Sequence, residues 1–95
     1  MKEIKQFYSQ NFDPIKRKKR NIKFVVFHYT GMKREKSALK RLSDNNSKVS
    51  CHYFIKKNGS IIRLVPDLYV SWHAGISHWK KLKKLNKFSI GIEIH

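Results

Sequence analysis

The chain has 95 residues, 40% of them apolar, and a formal net charge of +16 from 22 Lys and Arg against 6 Asp and Glu. This length suits one small domain and leaves no room for a second, and the charge predicts attraction to polyanions such as nucleic acid, anionic cell-wall polymers or a membrane surface. The single cysteine, Cys51, excludes an internal disulfide framework and a CxxC metal knuckle. No apolar run approaches the ~18 residues of a membrane span, and the polar N-terminus lacks the apolar region of a secretory signal, so we expect a cytoplasmic protein.

The chain begins with a basic segment and then becomes apolar. Residues 1–21 are rich in lysine and contain the run KRKKR, which predicts an extended arm rather than a packed element. Residues 22–28, IKFVVFH, hold an apolar stretch too long for a half-exposed strand. They predict a central strand that is covered on both faces and that begins the folded domain, residues 22–95.

The middle of the chain predicts a helix and then a hairpin. Residues 33–43 form a short amphipathic pattern, and the polar run SDNNS ends it. Strands at residues 49–56 and 60–65 flank Asn58-Gly59, a pair typical of a tight type I′ turn, in which both central residues need positive φ. The apolar stripe of the helix consists of Ala38, Leu39 and Leu42.

The last eight residues, FSIGIEIH, alternate apolar side chains with small or polar ones. A strand here presents one apolar face for packing and a second face, with Ser89, Gly91 and Glu93, that looks into an open space. A buried carboxylate costs several kcal/mol unless it is paired or neutralised, so Glu93 suggests a nearby cation or a proton-transfer role. The alternative is an edge strand on which Glu93 faces solvent.

The five histidines show no close metal-binding spacing, so any metal site must be assembled from distant strands. His28 lies at the end of the apolar strand, where a structural role and a ligand role are both open. Cys51 and His52 are adjacent, but strand alternation places them on opposite faces, so they do not form a catalytic dyad. We expect Cys51 to be a small core residue.

Four blocks, FVVFHYTGM, VSCHYFIKKNGSIIRLVP, SWHAGISHW and SIGIEI, together resemble the zinc-dependent N-acetylmuramoyl-L-alanine amidases of the AmpD-like group, which are related to the peptidoglycan-recognition proteins. The resemblance covers nearly all of residues 11–95. It implies an α/β (α+β) fold with a mixed central sheet and flanking helices. It also implies hydrolysis of the amide between N-acetylmuramic acid and the L-alanine of the stem peptide in peptidoglycan or muropeptides.

The resemblance also implies residue roles. His28 matches a zinc ligand, and Glu93 matches the general base. A zinc ion lowers the pKa of a bound water and polarises the carbonyl, while a carboxylate moves the proton to the leaving amine. Tyr29, Trp72, His73 and Ala74 match the substrate cleft, with His73 a donor to the carbonyl oxygen and Trp72 either a core aromatic or a platform for a sugar. His52 is expected to be a core residue or to contact the zinc ligands without binding the metal itself.

The chain departs from the family pattern after His95, because family members continue to a second zinc-binding His and an Asp or Cys ligand. A catalytic zinc site usually needs three protein ligands. We therefore expect a C-terminally truncated or split amidase, with a possible companion fragment, that binds zinc weakly, hydrolyses little by itself and leaves one face of its sheet uncovered. The family's members work both inside and outside the cytoplasm, so the cell envelope and secretion remain alternatives.

Two other function classes remain open. The chain is alternatively a non-catalytic muropeptide-binding protein that has lost its metal. A basic nucleic-acid-binding protein is less favoured, because the lysine clusters occur without a helix-turn-helix, RNP or zinc-knuckle pattern. Non-specific, salt-sensitive retention on polyanions is expected from the charge alone.

Overall fold

A computed structural model describes residues 5–74 and 85–95, and it shows a mixed sheet with one helix against it. Five strands are arranged in the order β1 (Lys5–Gln6), β5 (Ile61–Arg63), β4 (Tyr53–Ile55), β7 (Ser89–Ile94) and β3 (Phe24–Tyr29), while β2 (Phe12–Asp13) and β6 (Val70–Ser71) form a separate antiparallel pair. Strand β7 runs parallel to both of its neighbours, β3 and β4, and β4 pairs antiparallel with β5. The predicted mixed α+β architecture is confirmed. The helix is α1, Glu35–Ser43.

Helix α1 forms where the sequence predicts it and packs through its apolar stripe. Ala38 and Leu42 are buried, and Leu39 packs against the same core. Glu35 lies in the first turn, where its charge complements the helix dipole, and its carboxylate contacts Lys56 at 3.9 Å. The core that this helix covers consists of Ala38, Leu42, Cys51, Phe54, Ile62, Leu64 and Val65. Within the described residues, no helix is long and apolar enough to cross a membrane.

The predicted hairpin is confirmed, but its strands are shorter and its turn is different. Strands β4 and β5 pair antiparallel around Asn58-Gly59. Only Gly59 has positive φ (87°), so the turn is not type I′. The N–H of Gly59 donates to the carbonyl of Lys56, and the N–H of Lys56 donates to that of Ser60. These bonds match a three-residue loop that ends in a left-handed glycine.

The described part of the basic arm, residues 5–21, packs against the rest of the chain, which corrects the prediction of an extended, unpacked segment. Strand β1 adds to the sheet beside β5, and β2 pairs with β6. Ser9 and Asn11 are buried, and the Asn11 amide donates to the carbonyls of Asp44 and Val49, both at 2.8 Å. Arg17 donates to the carbonyls of Asp67 and Asn86, each at 2.9 Å. Polar contacts of this kind produce no apolar pattern, so the sequence did not indicate them. They also join the predicted arm, residues 1–21, to the predicted domain, residues 22–95.

Strand β3 is an edge strand in the described sheet, which corrects the prediction of a central strand covered on both faces. Its burial alternates, and three side chains on one face are strongly exposed: Val25 (56%), Phe27 (58%) and Tyr29 (79%). The opposite face carries His28 and points towards α1. An uncovered face of the sheet was expected from the departure from the family pattern, and these three residues lie on it.

The pattern prediction of an open face on β7 is wrong at Ser89 and Gly91. These two residues are buried, whereas Ile90, Ile92 and Ile94 on the other face are only partly buried. The cause is that the His73 ring lies on Gly91 and is bonded to Ser89. The alternative of an edge strand with a solvent-facing Glu93 is wrong, because β7 lies between β4 and β3.

Candidate active site

The site is built on two adjacent parallel strands. In the register of β3 and β7, His28 is directly opposite Glu93, so both side chains leave the sheet on the same face. They line one cavity of about 180 Å³, together with Thr30, Met32 and Ser50 and with α1 residues Ala38, Arg41 and Leu42. The family resemblance implies that these two residues act at one site, and both side chains face the same cavity.

A second imidazole, that of His73, also lines this cavity. His73 Nδ1 lies 3.0 Å from His28 Nε2, and His73 Nε2 lies 2.8 Å from the hydroxyl oxygen of Ser89. The ring rests directly on Gly91, where a β-carbon added to the glycine would be 2.2 Å from His73 Cγ. Any side chain at position 91 would therefore displace His73. Glycine is required here for close approach and not for a special backbone angle.

Burial sets the charge states of these groups. Desolvation lowers the pKa of His28 and lowers that of His73 to about 3, where His28, His52 and Arg17 act in the same direction. Both imidazoles are therefore neutral at pH 7. Desolvation raises the pKa of Glu93, and the charge of Arg41 partly opposes this. A carboxylate with a raised pKa is better suited to accept and return a proton than one with an ordinary pKa.

His52 and Cys51 are structural residues. The Gly91 N–H donates to His52 Nδ1 at 3.0 Å, so the proton of this ring is on Nε2, which donates to the carbonyl of Tyr69 at 2.7 Å. Burial lowers the pKa of His52 to about 4. Cys51 belongs to the apolar core, and burial raises the pKa of its thiol, so it does not act as a nucleophile.

The remaining predicted substrate residues occupy different positions. Tyr29 borders the cavity at the end of β3, but its side chain lies on the face of the strand opposite His28 and is 79% exposed. Trp72 is not among the residues that line it; its indole N–H donates to Asp13 at 2.9 Å. Ala74 is also absent from the lining, and its N–H and carbonyl are both bonded to the Asn86 side chain, at 2.8 and 2.7 Å. Both ring nitrogens of His73 have protein partners, so neither is free to meet a substrate.

Among the described residues of the cavity, His28 has a ring nitrogen able to bind a metal ion. His28 Nδ1 has no hydrogen-bond partner within residues 5–74 and 85–95, and a neutral imidazole nitrogen of this kind is an ordinary zinc ligand. No group of three His, Cys, Asp or Glu able to hold a metal occurs in the same ranges. His95 is not among the residues that line the cavity, and its Nδ1 is bonded to the hydroxyl of Thr30 at 2.9 Å. The donor set therefore fits zinc in part.

Sequence reasoning missed several residues of the site. Arg41 faces Glu93 from α1, and its position on the polar side of the helix pattern gave no sign of this role. The bond between Ser89 and His73 was also missed, although the small residues on the alternating strand were a signal for a side chain packed against them. Asn86, which holds Ala74, carries no pattern signal.

Comparison with known proteins assigns the fold and the family. The family model described as N-acetylmuramoyl-L-alanine amidase matches residues 18–95. N-acetylmuramoyl-L-alanine amidase AmiD of Escherichia coli is 42% identical in an alignment of 80 residues that covers 77% of this chain and 28% of AmiD.

Two solved structures are similar to the chain. One is the complex of E. coli AmiD with anhydro-N-acetylmuramic acid-L-Ala-D-γ-Glu-L-Lys, whose protein is 41% identical to this chain. The superposition has a TM-score of 0.68 and covers 79% of this chain and 31% of the AmiD chain. A selenomethionine derivative of AmpD has a TM-score of 0.76 at 23% identity, over 99% of this chain and 62% of that one, and supports the fold. The chain thus spans about a quarter of the length of the curated relative AmiD. With the match to residues 18–95, the protein belongs to the N-acetylmuramoyl-L-alanine amidase family.

Proposed function

We propose that this chain carries part of the catalytic site of a peptidoglycan amidase, which hydrolyses the bond between N-acetylmuramic acid and the L-alanine of the stem peptide. The observation that supports this most is the position of His28 and Glu93, opposite each other on parallel strands and facing one cavity. The AmiD structure contains a muropeptide of this kind, which makes muropeptides the proposed substrate class.

In this proposal His28 holds a zinc ion through Nδ1. When bound, zinc supplies a Lewis acid for the carbonyl and lowers the pKa of water. Glu93 takes the proton of the attacking water and gives it to the leaving amine, a role to which its raised pKa is suited. Arg41 limits how far that pKa rises.

A complete zinc site requires two further ligands. They would come from residues outside the described ranges or from a second polypeptide, the companion fragment. We propose that the chain alone binds zinc weakly and cleaves little, because a single imidazole is far from the three ligands that catalytic sites use.

A chimera tests the proposed roles independently of these missing ligands. This chain replaces the matched region of AmiD, and release of the stem peptide from anhydro-muropeptide is followed by chromatography with added zinc. We expect cleavage that Glu93→Gln reduces by about 10²–10⁴-fold and that His28→Ala abolishes. The matched control is Glu35→Gln, a carboxylate on α1 away from the cavity, which should leave the rate unchanged. Undiminished cleavage by the Glu93→Gln chimera would exclude the general-base role.

A non-catalytic muropeptide-binding protein is the second candidate, because the described residues assemble no three-ligand metal group. Retention on purified peptidoglycan separates the two functions. If a chelator leaves retention unchanged and the chimera does not cleave, the binding function is supported. Retention on nucleic acid that disappears as salt rises would reflect only the net charge of +16.

A further inference from the structure

The hydroxyl of Ser89 has a fixed direction. Ser89 is fully buried at the start of β7, and its oxygen lies 2.8 Å from the carbonyl of Leu85. A carbonyl only accepts, so the single hydroxyl hydrogen is donated there. Towards His73 Nε2, at 2.8 Å, the same oxygen can therefore only accept. The proton of the His73 ring is thus on Nε2.

The direction of the next bond follows from this one. A neutral imidazole that carries its proton on Nε2 has a lone pair on Nδ1. His73 Nδ1 lies 3.0 Å from His28 Nε2, so His28 must be the donor in this bond. The proton of His28 is then on Nε2, and its Nδ1 carries the free lone pair.

We propose that Ser89 and His73 are positioning residues that fix His28 in its Nε2-protonated form, so that Nδ1 is the atom presented to the metal. The metal part of this inference rests on the proposed function, but the proton positions do not. Metal-binding histidines generally donate their second ring N–H to a protein acceptor, which fixes the ring's tautomer and orientation. Here the acceptor is another imidazole, whose own direction is set by a serine and a main-chain carbonyl.

Gly91 makes this arrangement possible. The His73 ring lies against the backbone of β7 between Ser89 and Glu93, in the space that any side chain at position 91 would fill. The three residues on this face of β7 therefore contribute differently. Ser89 accepts the hydrogen bond of His73, Gly91 leaves the space that the His73 ring occupies, and Glu93 faces the cavity.

The test is a long-range ¹H–¹⁵N NMR experiment on the ¹⁵N-labelled chain at pH 7.5 without metal, which reads the protonated nitrogen of each histidine. We expect Nε2–H at both His28 and His73. Ser89→Ala removes the acceptor, and it should convert His28 to a mixture of forms and weaken its interaction with added zinc ions by about 10–100-fold.

The matched control is Ser71→Ala. Ser71 is equally buried, and its hydroxyl also contacts a histidine, His52 Nδ1, at 3.1 Å. The Ser71→Ala variant should leave the protonated nitrogen of His28, and the response of His28 to zinc, unchanged. Nδ1–H at His28 in the unsubstituted chain, or no change of His28 in Ser89→Ala, would overturn the inference.

The outcome also separates this inference from the proposed function. If His28 and His73 both carry Nε2–H but zinc leaves the His28 signals unchanged, the metal role in both proposals is overturned, while the assignment of the proton positions stands.

Discussion

Replacement of Gly91 by alanine is the sharpest perturbation that the structure offers. The new methyl carbon would lie 2.2 Å from His73 Cγ and 2.6 Å from His73 Cβ. Contacts this short are not tolerated, and because one of the atoms is Cβ, rotation of the His73 side chain alone does not relieve them. His73 must move, and its hydrogen bonds to His28 and Ser89 are then lost or lengthened.

The expected cost follows from these contacts. Two hydrogen bonds at about 0.5–1.5 kcal/mol each and overpacking at about 1–3 kcal/mol oppose a gain of about 0.4–1 kcal/mol from the stiffer unfolded chain. We therefore expect Gly91→Ala to lower the free energy of unfolding by about 2–4 kcal/mol, a large part of the stability of a small domain. Urea denaturation, followed by tryptophan fluorescence or circular dichroism, measures this change.

A double-mutant cycle identifies the cause. In a His73→Gly background the clashing atoms are absent, so the cost of Gly91→Ala should fall below about 1 kcal/mol. If Gly91→Ala is as stable as the unsubstituted chain, or if it costs the same stability in both backgrounds, the close packing of His73 on Gly91 is refuted.

Burial and charge lead to three further predictions. The pKa of His52 is about 4 in the folded chain, against 6.5 when exposed, so its contribution to stability is full above pH 6.5 and falls by about 3 kcal/mol as pH decreases to 4. Because His73 adds a loss of the same sign, NMR titration of the His52 ring signals isolates this effect, and a midpoint near pH 6.5 would contradict it. Glu93 has a raised pKa, so its ionisation costs stability as pH rises, and Glu93→Gln should be at least as stable as the unsubstituted chain at pH 8; a clear loss in denaturation at that pH would contradict this. Phe27→Lys, on the uncovered face, should reduce self-association in light scattering while costing less than about 1 kcal/mol, and a cooperative unfolding transition lost on substitution would show that this face is packed.

The elements that sequence patterns identified well are those whose period is set by local packing. The alternation of FSIGIEIH predicted β7, the apolar stripe at Ala38, Leu39 and Leu42 predicted α1, and Asn58-Gly59 marked the hairpin. These signals depend on the period of the helix or strand and on turn chemistry, and both are local properties of the chain.

Properties that depend on the rest of the fold were not predicted correctly. The apolar run of β3 indicates burial, but Val25 and Phe27 are exposed in the described structure, because the sequence does not specify which elements cover them. The pattern predicted an open space beside the small residues of β7, but the His73 ring occupies the space beside Ser89 and Gly91. A neighbour that is distant along the chain cannot be inferred from the strand's own period.

The candidate site was predictable where a resemblance supported it. The resemblance indicated His28 and Glu93, and the register of β3 and β7 brings them together. Their partners follow from three-dimensional packing. Arg41, Ser89 and Gly91 contribute through contacts with residues distant in sequence, so neither composition nor spacing distinguishes them.

Titration of the ¹⁵N-labelled chain with Co²⁺, a paramagnetic substitute for zinc, tests most directly whether a metal at His28 would lie beside Glu93. The account predicts weak binding, with line broadening strongest at His28 and extending to Glu93, and loss of this pattern in His28→Ala. Broadening centred on His52 or His95, or a tight site that survives His28→Ala, would contradict it.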